Sequence, residues 1–173
     1  MFWRLGVKRM TTVLAGHAAP AFSLPAADGT KLSLADALKE GPVVVAFFKI
    51  SCPICQYTFP FLERLHCAYG SDHVTFWGIS QDGARDTKDF CQEYGITFPA
   101  LIDEKGYPAS NAYGLTTVPT VLLIGPDGTV RVTENGFSKK HLEKISAELA
   151  QHLKKPAAQV FLPDEIIPDY KPG

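Results

Sequence analysis

The feature that most constrains the fold of this chain is a pair of cysteines placed between two hydrophobic patterns. Cys52-Pro53-Ile54-Cys55 directly follows an unbroken apolar run from Val43 to Phe48 and directly precedes apolar residues at helical spacing. The apolar run predicts a central strand covered on both faces, and a proline suits the first turn of the helix that follows. The sequence therefore places two thiols at a strand-to-helix junction.

This position determines how the two thiols are interpreted. Cysteines three residues apart in a first helical turn can come within disulfide-forming distance. Cys52, at the predicted helix N-terminus, faces unpaired backbone N–H groups and the positive end of the helix dipole, which favour a thiolate. A redox dithiol is therefore favoured over one half of a zinc site.

The whole chain has the composition of an ordinary globular protein. Its 173 residues suffice for one domain with a hydrophobic core, and 46% of them are hydrophobic and 20% charged. A net charge of −1 argues against nucleic-acid partners and against a general attraction to anionic membranes. No stretch reaches the roughly 18 apolar residues of a membrane span, so none is expected.

The N-terminal residues bear on cellular location. Basic residues among the first ten are followed only by Val13-Leu14-Ala15, which is too short for the apolar core of a signal peptide. A cytoplasmic location is therefore predicted, with a periplasmic or other extracytoplasmic location as the alternative if a longer precursor was trimmed. Met10 is an alternative start, which would leave the first nine residues as a disordered arm.

Strands alternate with helices along the chain and end in an antiparallel hairpin. This order predicts an α/β fold with a mixed central sheet flanked by helices on both faces, preceded by a short β-hairpin extension. The predicted strands cover residues 20–25, 31–34, 43–48, 74–79, 120–124 and 129–133. The predicted helices cover residues 34–39, 52 to about 70, 87–94, 107–113 and 138 to about 153.

We divide the chain into an N-terminal arm (1–15), one domain (16–155) and an extended C-terminal tail (156–173). The tail contains four prolines, so it cannot be a continuous helix. It also carries apolar residues at Val160, Phe161, Leu162, Ile166 and Ile167. We expect an extended strap packed on the domain, with a partner-binding or dimer-swapping segment as the alternative.

Several motifs together resemble the thioredoxin-like superfamily. They are the order of elements, the cysteine pair at its junction, and Val118-Pro119-Thr120 before the hairpin. The chain is most similar to the redoxin branch, which includes the TlpA-type thiol–disulfide oxidoreductases and grades into the alkyl hydroperoxide reductase and thiol-specific antioxidant proteins. Motifs typical of this branch are residues 16–22, Asp28-Gly29, Leu32-Ser33-Leu34, Phe59-Pro60, residues 62–65 and Pro126-Asp127-Gly128. The resemblance covers about residues 16 to 153.

The resemblance implies a thioredoxin-like fold and a thiol–disulfide oxidoreductase that exchanges protein or small-molecule disulfides. Cys52 would be the nucleophile and Cys55 the resolving thiol. Pro119 would be a cis-proline beside the dithiol, and Val118 would offer backbone hydrogen bonds to an extended substrate segment. No metal or organic cofactor is expected. The partners would be a disulfide-containing protein or small thiol substrate, and a thioredoxin or glutathione-type electron donor.

The chain departs from the family pattern around the dithiol. Ala46 stands where many thioredoxins have a buried aspartate, and Thr58 stands where many TlpA-type proteins have a glutamate. Ser51 replaces the usual tryptophan before the first cysteine. Lys49 is therefore the pKa-tuning candidate, because its charge would stabilise a thiolate at Cys52. The alternative is a lysine whose side chain extends from the strand end into solvent.

Two rival functions remain. A peroxiredoxin-like peroxidase would use Cys52 as its peroxidatic thiol, but such sites carry Thr or Ser three residues earlier and an arginine where the last core strand begins. Here Lys49 and Thr117-Val118-Pro119 occupy those positions. A copper carrier would need a distal histidine, and none occurs between Tyr94 and Ser138. Both rivals are disfavoured.

The remaining cysteines, Cys67 and Cys91, lie in predicted helices. We expect two buried or half-buried free thiols, since free cysteine is among the most buried residue types. The alternative makes one of them a resolving or relay thiol, and Cys91 is then the better candidate.

Overall fold

The computed structural model describes residues 12–173; the alternative start at Met10 and most of the N-terminal arm lie outside these described residues. The strands are β1 (Ser23–Pro25), β2 (Lys31–Ser33), β3 (Val43–Phe48), β4 (Thr75–Ser80), β5 (Ala100–Ile102), β6 (Thr120–Ile124), β7 (Val130–Asn135), β8 (Phe137–Ser138) and β9 (Tyr170–Lys171). The helices are α1 (Leu34–Glu40), α2 (Pro53–Tyr69), α3 (Ala84–Tyr94), α4 (Pro108–Ala112) and α5 (Lys139–Leu153).

The centre of the fold is a five-stranded mixed sheet in the order β5-β4-β3-β6-β7. β3, β4 and β5 run parallel, whereas β6 pairs antiparallel with both β3 and β7. All six residues of β3 are buried, as its continuous apolar run predicts. Side chains alternate across a strand, so Phe48 joins the core on one face of the sheet and Phe47 joins the core on the other.

Helices cover both faces of this sheet. On one face the core contains residues of α2, α3 and α5, for example Leu62, Phe90 and Ile145. On the other face it contains residues of α1 and α4, for example Leu34 and Ala109. Burying a leucine, isoleucine or phenylalanine side chain stabilises the fold by about 2 kcal/mol relative to exposure. The predicted α/β class, with a mixed sheet between two helical layers, is confirmed.

The tail lies against α2 and α5 in an extended conformation. Val160 and Phe161 are buried in the same core as α2, and the Phe161 ring lies 5.0 Å from that of Phe61. Arg64 donates to the Val160 carbonyl at 2.9 Å and forms a two-pronged ion pair with Glu165. Tyr170 and Lys171 of the tail then form β9, which pairs antiparallel with β8. This course agrees with the strap interpretation.

Several boundaries differ from those predicted. α3 begins at Ala84 instead of 87, because Gly83 is already extended and its carbonyl accepts from the Thr87 amide at 3.0 Å. α4 covers only Pro108–Ala112, and the first strand begins at Ser23. β5, β8 and β9 were not predicted, since two or three residues are too few to show a period. Within residues 12–173, no helix has the length and apolar character needed to cross a membrane.

Candidate active site

Cys52 is the residue directly before α2 and caps its N-terminus. Its backbone is extended, with φ −84° and ψ 115°, and its Sγ accepts a hydrogen bond from the Cys55 amide at 3.2 Å. Pro53 is the first helical residue, where a missing N–H leaves no intrahelical bond unmade. The sulfur therefore lies at the positive end of the helix dipole and in contact with a backbone donor, which stabilises negative charge on it.

Cys55 lies one turn further along α2 and is completely buried. Burial raises the pKa of the Cys55 thiol far above its ordinary value, and its hydrogen bond with Cys52 and the negative charge of Asp82 raise it further. Both cysteines are free thiols, and Cys52 is only half-buried. A substrate can therefore reach the Cys52 sulfur, whereas the Cys55 thiol is protonated and buried in the core.

The loop before β6 lies opposite Cys52. The Val118–Pro119 peptide bond is cis, as the resemblance implied, and the Cys52 thiol donates to the Val118 carbonyl with an S···O distance of 3.6 Å. Thr120 Oγ1 donates to the Thr117 carbonyl at 2.8 Å, which ties the loop to the first residue of β6. The structure thus brings together the four site residues expected at this junction and its facing loop.

The loop that leads into Cys52 is held by two side chains. Asp82 accepts a hydrogen bond from the Ile50 amide at 2.8 Å, and Gln56 donates through Nε2 to the Ile50 carbonyl at 2.9 Å. The Cys52 amide donates to the Lys49 carbonyl at 3.2 Å. Because both backbone polar groups of Ile50 are hydrogen-bonded by side chains of other elements, the backbone before the first cysteine has one well-defined position.

Sequence reasoning missed Asp82 and Gln56. Asp82 follows β4, which pairs in parallel with β3 so that Ser80 lies opposite Phe48. The residues that follow two neighbouring parallel strands meet at the same edge of the sheet. The available signal was therefore the polar pair Gln81-Asp82 directly after a buried strand.

Lys49 lies at the mouth of the site. Its side chain is exposed and lines a cleft together with Gln81 and the loop 115–118. Its ammonium group makes no hydrogen bond or ion pair with any residue between 12 and 173. The structure therefore places Lys49 in the same cleft as Val118, whose carbonyl contacts Cys52, and its tuning role stays a prediction.

The other two cysteines differ from each other. Cys91 is half-buried beside the core, and burial raises the pKa of its thiol to about 11. Cys67 is exposed on α2, so the prediction of a buried or half-buried thiol was wrong there. It occupies the outer face of the helix, where its thiol donates to Glu63 at 3.8 Å. Neither thiol shares a hydrogen bond with Cys52 or Cys55 in the described part of the chain.

A mixed five-stranded sheet, a cysteine pair at the start of the helix after its central strand, and a cis-proline facing the first cysteine define a thioredoxin-like protein. Comparison with known families makes the assignment more specific. Residues 15–133 match the AhpC/TSA family, and the chain belongs to this family. The resemblance to the redoxin branch is thereby confirmed.

Individual relatives agree with this assignment. The chain is 30% identical over 141 residues to the thiol-disulfide oxidoreductase ResA of Geobacillus thermodenitrificans, covering 78% of this chain and 80% of that protein. It is 30% identical over 142 residues to the thioredoxin-like protein YneN of Bacillus subtilis, covering 79% and 81%. The thioredoxin domain of a thiol-disulfide oxidoreductase from Bacteroides vulgatus superposes with a TM-score of 0.70 at 22% identity, covering 79% of this chain and 98% of that chain. This last likeness concerns the fold.

Proposed function

We propose that this chain is a thiol–disulfide oxidoreductase in which Cys52 is the nucleophile and Cys55 the resolving thiol. The observation that carries the proposal is the asymmetry of the pair: Cys52 is half-buried at a helix N-terminus, whereas Cys55 is fully buried three residues later. The relative from Geobacillus thermodenitrificans supports the same activity, since it is a thiol-disulfide oxidoreductase.

The reaction is reversible exchange among four sulfurs. The Cys52 thiolate attacks one sulfur of a partner disulfide, forms a mixed disulfide and releases the other partner sulfur as a thiolate. Cys55 then loses its proton and attacks the Cys52 sulfur, which forms the Cys52–Cys55 disulfide and releases the second partner thiolate. The partner gains two electrons and the protein loses two. A donor dithiol, or two donor thiols, returns the protein to its reduced form.

Val118 and Pro119 are proposed as the substrate contact. The Val118 carbonyl already lies 3.6 Å from the Cys52 sulfur, so a backbone segment bonded to Val118 would lie beside the nucleophile. Main-chain hydrogen bonds of this kind bind extended polypeptides independently of their side chains. This supports a disulfide-containing protein as the substrate, with a thioredoxin or glutathione-type thiol as the proposed electron donor.

Lys49 is proposed to assist Cys52 electrostatically. Its side chain borders the cleft beside the loop 115–118, on the side from which a substrate would approach. An ammonium group there favours the anionic sulfur and attracts anionic small thiols.

No specific observation within residues 12–173 favours the peroxidase or the copper-carrier alternative.

The cytoplasmic location stays a proposal, and the extracytoplasmic alternative stands beside it. The two compartments differ in redox poise, so they predict different resting states of the dithiol. Trapping thiols with acid in intact cells and then counting alkylated cysteines by mass spectrometry distinguishes them. A reduced Cys52–Cys55 pair supports the cytoplasm, and an oxidised pair supports the alternative.

The function is tested with single-cysteine variants and a protein disulfide as substrate. Cys52→Ser is expected to abolish exchange, whereas Cys55→Ser should accumulate a mixed disulfide at Cys52 that mass spectrometry detects. Cys67→Ser is the matched control and should exchange at the wild-type rate, because Cys67 is exposed on the outer face of α2. Full exchange by Cys52→Ser would overturn the assignment. Rapid oxidation of the reduced wild type by peroxide would favour the peroxidase instead.

A further inference from the structure

The last residues of the tail lie directly against the proposed substrate contact. Gly173 is so close to Val118 that a Cβ added to Gly173 would overlap the Val118 carbonyl oxygen and lie 2.9 Å from Thr117 Oγ1. This carbonyl is the one that accepts the hydrogen bond from the Cys52 thiol. Gly173 thus lies on the loop that contacts the nucleophile and that we propose binds substrate backbone.

The approach of the tail to this loop is guided by a two-residue strand and a glycine. Tyr170 and Lys171 of β9 pair antiparallel with β8. Gly136, directly before β8, donates its amide to the Pro119 carbonyl at 2.7 Å. A Cβ added to Gly136 would overlap the Lys171 carbonyl oxygen and lie 3.0 Å from the Gly173 amide. The same short stretch of chain therefore borders both the cis-proline loop and the tail.

The contacts of this terminal segment, residues 170–173, are few. The Lys171 ammonium lies 5.0 Å from the centre of the Tyr57 ring, and Tyr170 is 51% exposed. Gly173 is exposed despite its position against the loop. A two-residue strand with little buried apolar surface belongs to the least stable parts of a fold, which open locally without global unfolding.

We propose that residues 170–173 occupy the track on which an extended, disulfide-bearing polypeptide docks, so that the tail competes with substrate for Val118. The proposal rests on the proposed function of the dithiol. It commits to one occupant in the free protein, the tail itself, and to one class of competitor, a polypeptide that adds as a strand along β8 and the loop. A small disulfide that needs no strand pairing meets less competition.

The expected consequence follows from a two-state equilibrium. A polypeptide reacts only with molecules in which residues 170–173 are displaced. Its observed rate constant is therefore proportional to the fraction of molecules in this open state. Displacing residues 170–173 should therefore accelerate reaction with peptides while leaving reaction with a small disulfide almost unchanged. A tail that merely stabilises the fold would alter both rates together, or neither.

The test uses two full-length variants. In Gly173→Val the new Cβ overlaps the backbone carbonyl of Val118, and Lys171→Ala removes the ammonium from Tyr57. Ile166→Ser is the matched control, since this tail residue is 98% exposed. All proteins carry Cys67→Ser, because the exposed Cys67 thiol would react with a small disulfide independently of the pair. The reduced proteins are mixed with an uncharged peptide disulfide whose strands extend beyond the cysteines, and with the small aromatic disulfide dithiobis(nitrobenzoate). Second-order rate constants are measured for both probes.

Both tail variants should react about fivefold faster with the peptide and change less than about twofold with the small disulfide. Ile166→Ser should match the wild type. Unchanged or slower peptide reaction in both tail variants would overturn the competition. If the wild type reacts with neither probe, the proposed function of the dithiol is overturned instead, so the two failures are distinguishable.

A second measurement reads the displacement directly. Cys55→Ser traps the peptide on Cys52 as a mixed disulfide, and hydrogen exchange then follows the amides of Tyr170 and Lys171, which pair with β8. Loss of their protection on trapping, with the amides of α5 unchanged, supports displacement. Retained protection with the peptide attached would show that both segments bind at once, and the competition would be wrong.

Discussion

Helix α2 contacts two regions, the loop before Cys52 and the C-terminal tail, which differ in burial and hydrogen bonding. At its N-terminus, Cys55 is completely buried and the loop before Cys52 is bonded from both sides through Ile50. Further along, the helix contacts a tail that is buried at Phe161 but 98% exposed five residues later, at Ile166. The backbone before the nucleophile is therefore fixed by hydrogen bonds on both its polar groups at Ile50, whereas the tail combines a buried part with a part that is exposed to solvent.

The largest loss of stability is expected on truncating Phe161, if the first part of the tail belongs to the core. Phe161→Ala is expected to lower the free energy of unfolding by about 3 kcal/mol, because it removes a buried aromatic side chain that packs on Phe61 and Phe137. Urea unfolding measures this loss. Ile166→Ala serves as control and should stay within about 0.5 kcal/mol of wild type. Equal effects of the two variants would contradict a tail with a firm and a loose part.

The next largest effect is expected at Asp82, which binds the loop before Cys52. Asp82→Ala leaves the half-buried Ile50 amide without its acceptor, which should cost about 1–2 kcal/mol of stability and slow the reaction of Cys52. Asp82→Asn keeps an acceptor and should cost less. Both variants remove a negative charge that disfavours the Cys55 thiolate, so both should lower the pKa of Cys55 while burial still keeps it raised. Titration by alkylation in the Cys52→Ser background measures this shift, and an unchanged or higher pKa would contradict the placement of Asp82.

Lys49 should have a smaller effect, because its ammonium is exposed and screened by solvent. Lys49→Met is expected to slow alkylation of Cys52 by iodoacetamide at neutral pH about twofold to fivefold at low salt. The difference should shrink as salt is added. Lys49→Arg retains the charge and is the control. Equal rates for the methionine variant and wild type would exclude the tuning role.

The smallest expected effect is the pH dependence of the Arg64–Glu165 ion pair. The hydrogen bond from Arg64 lowers the pKa of the Glu165 carboxyl, so the pair stabilises the tail at a pH above the ordinary value of about 4.3. This contribution is lost as the pH falls through the lowered value. Glu165→Gln should therefore be less stable than wild type at pH 7 and equal to it in strong acid. Chemical denaturation at several pH values tests this, and a difference that persists in acid would refute the ion pair.

The parts of the fold that the sequence predicted are those with a continuous period. The apolar run of β3 and the helical spacing after Cys52 are long enough to define their elements, and Pro53 marks the junction between them. The cis peptide at Pro119 was expected from the family resemblance alone, because an X–Pro sequence by itself favours trans.

The parts that the sequence did not predict depend on contacts between distant residues. β8 and β9 are two residues each and exist because the tail returns to pair with Phe137. Asp82 enters the site only because β3 and β4 are neighbours and parallel, which no local pattern encodes. The path of the tail follows from Phe161 and Arg64, whose partners lie far away in the chain.

Gly136 has a consequence for how such chains can diverge. Its φ of +81° suits glycine, its amide is used by Pro119, and the space above its Cα is filled by the backbone of residues 171–173. A larger residue would have to push away the terminal segment and adopt an unfavourable backbone angle at the same time. Among related sequences, we therefore expect this glycine to be inherited together with the terminal segment, and replacements to accumulate where that segment is missing.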